Sequence, residues 1–250
     1  MKALVDADIL IYRFAFASEG DPAEFALARL SEFLDNLYVN LPVDEVEGYL
    51  TGKGNFRNEV AVTAPYKGTR KADKPYHFGL LREYMQKSWG FIEVEGIEAD
   101  DKLGIEAYKH EPEETIIVSL DKDLDMIRGN HYNFVREEQY VITEEQAIKN
   151  FYMQMLTGDK VDNIIGLRGI GPVKAAKILK DCKTEVEMYD AVYDAYVEHI
   201  YDELSFNIDN KFELEECSDE AFSQATKRTI ENGRLLWILR EEGQVWQPPK

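Results

Sequence analysis

The 250-residue chain is poor in basic charge, in cysteine and in long apolar runs. Its 29 Lys and Arg face 48 Asp and Glu, a net charge of -19 at pH 7. Such a balance repels a polyanion at long range, and composition alone favours a small-molecule enzyme over a nucleic-acid binder. The exclusion is partial, because charges beyond a Debye length of ~8 Å are screened in physiological salt. An acidic cluster that captures divalent cations also ceases to repel. The two cysteines, Cys182 and Cys217, have no CxxC spacing and read as thiols in a reducing compartment, not as a disulfide or zinc site. The four histidines, His77, His110, His131 and His199, lack zinc-like spacing. No apolar run approaches the ~18 residues of a membrane span, and Met1 to Val5 meets Asp6 and Asp8 too soon for a signal peptide. The expectation is a cytoplasmic protein with no membrane partner.

What is present concentrates in residues 157–179, TGDKVDNIIGLRGIGPVKAAKIL. Asp159 and Asp162 are three apart, so on a helical turn both carboxylates would share a face and could flank a cation. Gly169-Ile170-Gly171 then precedes Pro172, a residue favoured at the first helical position. Free amides at such a helix start, approached closely thanks to glycine, suit a nucleic-acid phosphate. Lys174 and Lys177 extend that face with positive charge.

Three other places deliver acids. Residues 2–12 form an apolar run ending in Asp6 and Asp8, the pattern of a buried parallel strand that brings a carboxylate to the ligand-binding edge of a sheet. Asp6 is the better ligand candidate, Asp8 serves equally well as a helix cap, and Arg13 would form an ion pair nearby. Glu98, Asp100 and Asp101 crowd a helix start beyond what the macrodipole favours; Glu98 and Asp101 share a face. Asp121 and Asp123 follow the strand 115–120 and, in an extended turn, point the same way.

Between these lie a helix from Asp21-Pro22, with Phe25, Ala28, Leu30, Phe33, Leu34 and Leu37 as core, and a strand over 46–51. A basic, turn-rich segment follows: Lys53, Arg57, Lys67, Arg70, Lys71 and Lys74, with Phe56 and Tyr66 interleaved. Cations that track a backbone beside aromatic faces that stack on bases make it a candidate single-strand contact; a solvated charged loop is the alternative. A helix over about 76–87, two edge strands within 132–141, a capped helix from Thr143 and helices over 185–204 and 219–240, weakened at Gly233, complete the pattern. Residues 209–220 are acidic and carry no recognisable chemistry. Leu235, Trp237, Leu239 and Trp246 are expected to pack the tail.

If the acids converge they need counter-charge, since two charges ~4 Å apart at an effective dielectric of ~20 repel by roughly 4 kcal/mol. All-oxygen ligands favour Mg²⁺ or Mn²⁺, and two such ions could clamp the attacking water and leaving oxygen of a phosphodiester.

On these motifs the sequence resembles the 5′→3′ exonucleases and flap endonucleases, especially the short bacteriophage forms. The carriers, in order, are residues 5–8 (VDAD), 55–57 (NFR), 66–70 (YKGTR), 96–101 (GIEADD), 119–123 (SLDKD), 158–163 (GDKVDN) and 166–176 (GLRGIGPVKAA). The resemblance implies an α/β, PIN-like core with a mostly parallel sheet over residues 1–155. It also implies a helical arch over about 53–88, then a helix–three-turn–helix DNA-binding element and a helical C-terminal part over 156–250. It implies Asp6, Glu98, Asp100, Asp101, Asp121, Asp123, Asp159 and Asp162 as ligands of one to three Mg²⁺ or Mn²⁺ ions, with K⁺ at the 166–171 turn. Lys67, Arg70, Asp6 and Asp100 would act in catalysis, and Arg57, Tyr66, Lys67, Arg70, Arg168, Gly169, Gly171, Lys174 and Lys177 in DNA binding. The chain departs at Thr51-Gly52-Lys53, where relatives carry an aspartate; Gly52→Asp is therefore expected to tighten ion binding. The implied protein is a monomer, in host cytoplasm if of phage origin, that cuts DNA at 5′ ends or single-strand/duplex junctions. A structure-selective DNA binder with weakened catalysis and a PIN-type ribonuclease are the alternatives.

Overall fold

The computed structural model describes residues 1–70, 73–206, 208 and 211–250; Lys71 and Asp209 lie outside them. The chain divides into two compact units. One holds residues 1–56, 71–147 and 238–244, and the other 57–70, 148–237 and 245–250.

The first unit is built on a six-stranded sheet. Strands β1 (Lys2–Asp6), β2 (Glu45–Thr51), β3 (Ile92–Val94), β4 (Thr115–Val118), β5 (Gly129–Asn133) and β6 (Glu138–Ile142) lie in the order β3-β2-β1-β4-β5-β6. All neighbours are parallel except β5 and β6. The apolar sequences of β1 and β4 follow from central positions, where both faces are covered. Of the two strands expected at an edge, only β6 lies there, since β5 is paired on both sides.

Ala3, Val5, Leu50, Ile116 and Val118 point to one face, where they meet α1 (Ala7–Ala17), α2 (Ala23–Asn40) and α4 (Phe78–Trp89). Leu4 and Ile117 alternate to the other face, against α5 (Ala99–Tyr108). Helix α2 buries Ala26, Leu30, Leu34 and Leu37. That stripe leaves Phe25 and Ala28, expected in the core, exposed. Gly104 of α5 would bring a Cβ to 2.4 Å from the Leu239 carbonyl oxygen, so a glycine is needed where segment 238–240 crosses the helix.

The second unit is mainly helical: the later part of α6 (Glu144–Thr157), α7 (Pro172–Ile178), α8 (Glu185–Ser205) and α9 (Lys211–Leu236), with a hairpin of β7 (Gly158–Asp159) and β8 (Ile164–Ile165). Helix α8 starts in a reciprocal Thr184/Glu187 capping box. Helix α9 runs unbroken through Gly233, whose missing side chain admits the Trp246 indole; a Cβ there would lie 2.3 Å from the ring. Phe151, Trp237 and Trp246 form an aromatic cluster that fixes the tail. Short α3 (Arg57–Val60) also belongs to this unit.

Candidate metal and phosphate sites

In the first unit, β1 ends at Asp6, which is 4% exposed. Asp6, not Asp8, caps α1: its Oδ1 accepts from the Ile9 amide (3.2 Å), and its Oδ2 accepts from the Ser119 hydroxyl (2.7 Å). Burial pushes the Asp6 carboxyl up to about 7; the two hydrogen bonds oppose this, and the charges of Asp8 and Asp121 add to it. Asp8 also titrates above the usual carboxylate range because of burial, opposed by its bonds to Thr51 and the charge of Arg82. Its Oδ2 accepts from the Thr51 amide (3.0 Å), and its Oδ1 lies 3.6 Å from Arg82. A fold that leaves carboxyls this reluctant to ionise provides a place where a cation would be stabilising.

The chain after β4 differs from the expected extended turn. Asp121 caps a 3₁₀ helix, Lys122–Met126, and accepts from the Asp123 amide (2.9 Å), so the two side chains are not set by strand alternation. At the start of α5, Glu98 and Asp101 form a capping box. Asp101 is fully buried; its two oxygens accept from the Glu98 amide (3.0 Å) and the Leu239 amide (3.1 Å). Asp101, expected among the metal ligands, thus also holds the start of α5 and segment 238–240 through these two bonds. The Ala99 amide donates to the Thr51 hydroxyl (2.9 Å), drawing the starts of α5 and α1 to the end of β2.

Three residues of this site are given no role from the sequence. Arg82 of α4 donates to the Thr51 carbonyl (2.7 Å) and pairs with Glu93 (3.1 Å) as well as Asp8. Ser119 and Thr51 orient Asp6 and Asp8. Only the end of a buried strand beside an acid could have pointed to them. Gly52 has its amide on the Val94 carbonyl (2.8 Å), and a Cβ there would lie 2.4 Å from the same oxygen. That crowding removes the ground for the gain expected of Gly52→Asp. Arg13, expected in an ion pair, lies over the Phe134 ring at 5.7 Å.

In the second unit, Asp159 and Asp162 lie in the β7–β8 hairpin, not on a helical turn, because Asn163 at φ 60° closes the loop. Asp159 accepts from the amides of Val161 (2.7 Å) and Asp162 (3.3 Å) and from the Gln154 amide group (3.2 Å). Asp162 accepts from the Tyr66 hydroxyl (2.8 Å) and from Arg70, and Lys67 Nζ lies 3.7 Å away. A divalent ion on that carboxylate would face two cations, each repelling by roughly 4 kcal/mol per pair of unit charges ~4 Å apart at an effective dielectric of ~20. Asp162, expected as a metal ligand, is therefore already neutralised.

Two expected DNA contacts are buried instead. Arg57 is 3% exposed and donates to the carbonyls of Leu235 (2.8 Å) and Trp237 (2.7 Å). Tyr66 is 9% exposed, which leaves its ring little face for a base. Arg168, Gly169, Gly171, Lys174 and Lys177 are exposed, with Gly169 at φ 79° and Gly171 capping α7.

A parallel sheet with acids gathered at its C-terminal edge, joined to a helical unit with an exposed basic turn, defines the PIN-like 5′-nuclease class. The fold matches a T5 5′-exonuclease solved with zinc, at a TM-score of 0.60 and 18% identity over 93% of this chain and 89% of that one. It also matches the catalytic core of Rad2 solved with a DNA substrate, at a TM-score of 0.54 and 15% identity over 98% and 80%. No family model matches the sequence. Among curated proteins, the chain is 28% identical over 214 residues to the 5′-3′ exonuclease of Buchnera aphidicola, covering 76% of this chain and 73% of that one. It is 30% identical over 203 residues to the thermostable DNA polymerase I of Thermus caldophilus, covering 71% of this chain and 24% of the polymerase. The chain thus spans under a quarter of the polymerases it matches. In sequence and fold the chain is thus similar to the 5′→3′ exonucleases.

A divalent ion is implied by that similarity, and the donor chemistry fits one. The first unit offers carboxylate oxygens only, two of them on carboxyls that burial disfavours as anions. Among the described residues no three Asp, Glu, His or Cys side chains are drawn together as a finished cage, so binding would recruit ligands from their present hydrogen bonds.

Proposed function

We propose that the protein is a divalent-metal-dependent 5′ nuclease that hydrolyses DNA phosphodiesters at 5′ ends or single-strand/duplex junctions. The observation that carries this is Asp6, a buried carboxyl at the end of the central strand, raised by burial and set in the field of Asp8 and Asp121. Such an arrangement is costly for a scaffold and useful for a metal site. Support also comes from the Buchnera relative, which is named for 5′-3′ exonuclease activity, and from the neighbours solved with metal ions or DNA.

In this reading Asp6, Glu98, Asp100, Asp121 and Asp123 hold Mg²⁺ or Mn²⁺, with Asp8 beside them. The ion would supply charge neutralisation at the phosphate and an acidified water. The chain's own residues do the rest: Ser119 and Thr51 orient the carboxylates, and Arg82 limits repulsion between Asp8 and Glu93. Lys67 and Arg70 offer charge to a phosphate, while Arg168, Lys174, Lys177 and the amides at 169–171 hold duplex backbone. The 166–171 turn is the proposed place for K⁺, and the active form is proposed to be a monomer.

The test is a labelled 5′-flap duplex incubated with and without Mg²⁺. Cleavage should require the ion, and Asp100→Asn should abolish it while DNA binding stays within severalfold. Binding without cleavage under every metal condition, or cutting of RNA alone, would overturn the proposal.

A further inference from the structure

Strand β2 lies beside β1 and runs parallel to it, yet it ends in Thr51-Gly52-Lys53 and brings no acid of its own to the edge that Asp6 reaches. An acid arrives there from a different element. Asp8, in the first turn of α1, places its Oδ2 on the Thr51 amide (3.0 Å) and also bonds the Thr51 hydroxyl. That hydroxyl has a single hydrogen to give Asp8, and its oxygen accepts from the Ala99 amide (2.9 Å) at the start of α5. Thr51 therefore orients the Asp8 carboxylate and holds the residue next to Glu98 at the same time. The helix dipole accounts for an acid in the first turn of α1, but not for a carboxylate turned onto the end of a neighbouring strand.

The other Asp8 oxygen is less committed. Arg82 Nη1 stands 3.6 Å from Oδ1, beyond hydrogen-bond distance. The same guanidinium donates to the Thr51 carbonyl at 2.7 Å and pairs with Glu93 at 3.1 Å, so its charge is divided among several partners. Asp8 meanwhile lies in the field of both Asp6 and Glu98. Carboxylates that act on one another beside one shared arginine retain uncompensated negative charge. The Asp8 side chain is 28% exposed, against 4% for Asp6, so an ion arriving from solvent can reach it.

We propose that Asp8 supplies from α1 the carboxylate that the end of β2 does not provide, and joins Asp6 and Glu98 in holding the divalent ion. Thr51 is on this account a positioning residue, whose amide and hydroxyl set the Asp8 carboxylate in place. The inference rests on the metal-dependent reading proposed above and adds a residue to that site.

The experiment is titration of the full chain with Mn²⁺ and with Mg²⁺, without DNA, read by calorimetry and by the thermal midpoint. Asp8→Asn keeps an acceptor oxygen for Thr51 and removes the charge; it should weaken ion affinity about tenfold or more. Asp8→Asn/Thr51→Asp returns a carboxylate to the same place from β2, where an aspartate oxygen can still accept from the Ala99 amide. That pair should recover most of the lost affinity. Glu220→Gln, which removes one exposed charge from α9, should leave affinity unchanged. Asp8→Thr/Thr51→Asp, with chemical denaturation recorded for each variant, provides a second route should Asp8→Asn not fold. Undiminished affinity in Asp8→Asn, a loss that Thr51→Asp does not recover, or an equal loss in Glu220→Gln would overturn the proposal. A natural chain that binds neither ion would overturn it together with the metal-dependent reading. Because no cleavage is measured, a chain that binds the ion through Asp8 but never cuts DNA would refute the nuclease reading alone.

Discussion

At Asp6, one carboxylate links stability, pH and metal. Its folded value of about 7 lies above the ordinary 3.8, so the folded chain keeps a proton that the unfolded chain has released. Stability from this group is therefore greatest at low pH and declines as pH rises from about 4 towards about 7. A bound cation reverses the balance by favouring the charged form. Millimolar Mg²⁺ should raise the thermal midpoint at about pH 8 and have much less effect near pH 5. Asp6→Asn should lose most of the Mg²⁺ increment and flatten the metal-free pH dependence, both read by calorimetry. Asp6 is visible in the sequence because an acid closing an apolar run is conspicuous. Ser119, Thr51 and Arg82 are not, since a hydroxyl or a lone arginine takes its meaning only from what lies across the sheet.

The secondary-structure elements separate what periodicity specifies from what neighbours decide. Strands β1 and β4 and helices α5, α6 and α8 follow from apolar runs and capping residues, and the Thr143/Gln146 exchange at the start of α6 fulfils its capping pattern. Spacing misleads where the backbone is irregular: the acids at 121–123 and 159–162 sit in a 3₁₀ turn and a hairpin loop, so side-chain direction cannot be read from sequence separation. Gly52 shows the same limit. A substituted side chain must push against the Val94 carbonyl and Glu93, so Gly52→Asp should cost about 1–3 kcal/mol of stability with no gain in Mg²⁺ affinity. Chemical denaturation and metal titration of this variant check both halves. Arg57 resembles a DNA contact in sequence for a related reason: a basic residue in a basic stretch reads as solvated until its carbonyl partners are known.

For the molecule as a whole, a charge of -19 coexists with local basic features. Lys174 and Lys177, exposed on α7 beside the 169–171 turn, should contribute to DNA affinity mainly by releasing counterions. Replacing both with alanine should weaken binding to all duplex sequences alike. It should also reduce the slope of log affinity against log salt by about 1–2, at roughly 0.9 for each phosphate no longer neutralised. An unchanged slope would place the duplex elsewhere on the protein.

The sequence by itself determined the buried strands β1 and β4, the capped helix starts and the resemblance to 5′→3′ exonucleases, because hydrophobic period and ordered motifs are local properties that survive without coordinates. Only the tertiary structure decided which donors each acid meets. Asp101 is committed to two backbone amides, and Asp162 to Tyr66, Lys67 and Arg70. The reason is physical: a carboxylate's role is set by the donors and charges within a few ångströms, and folding draws those from residues as far as 169 positions away.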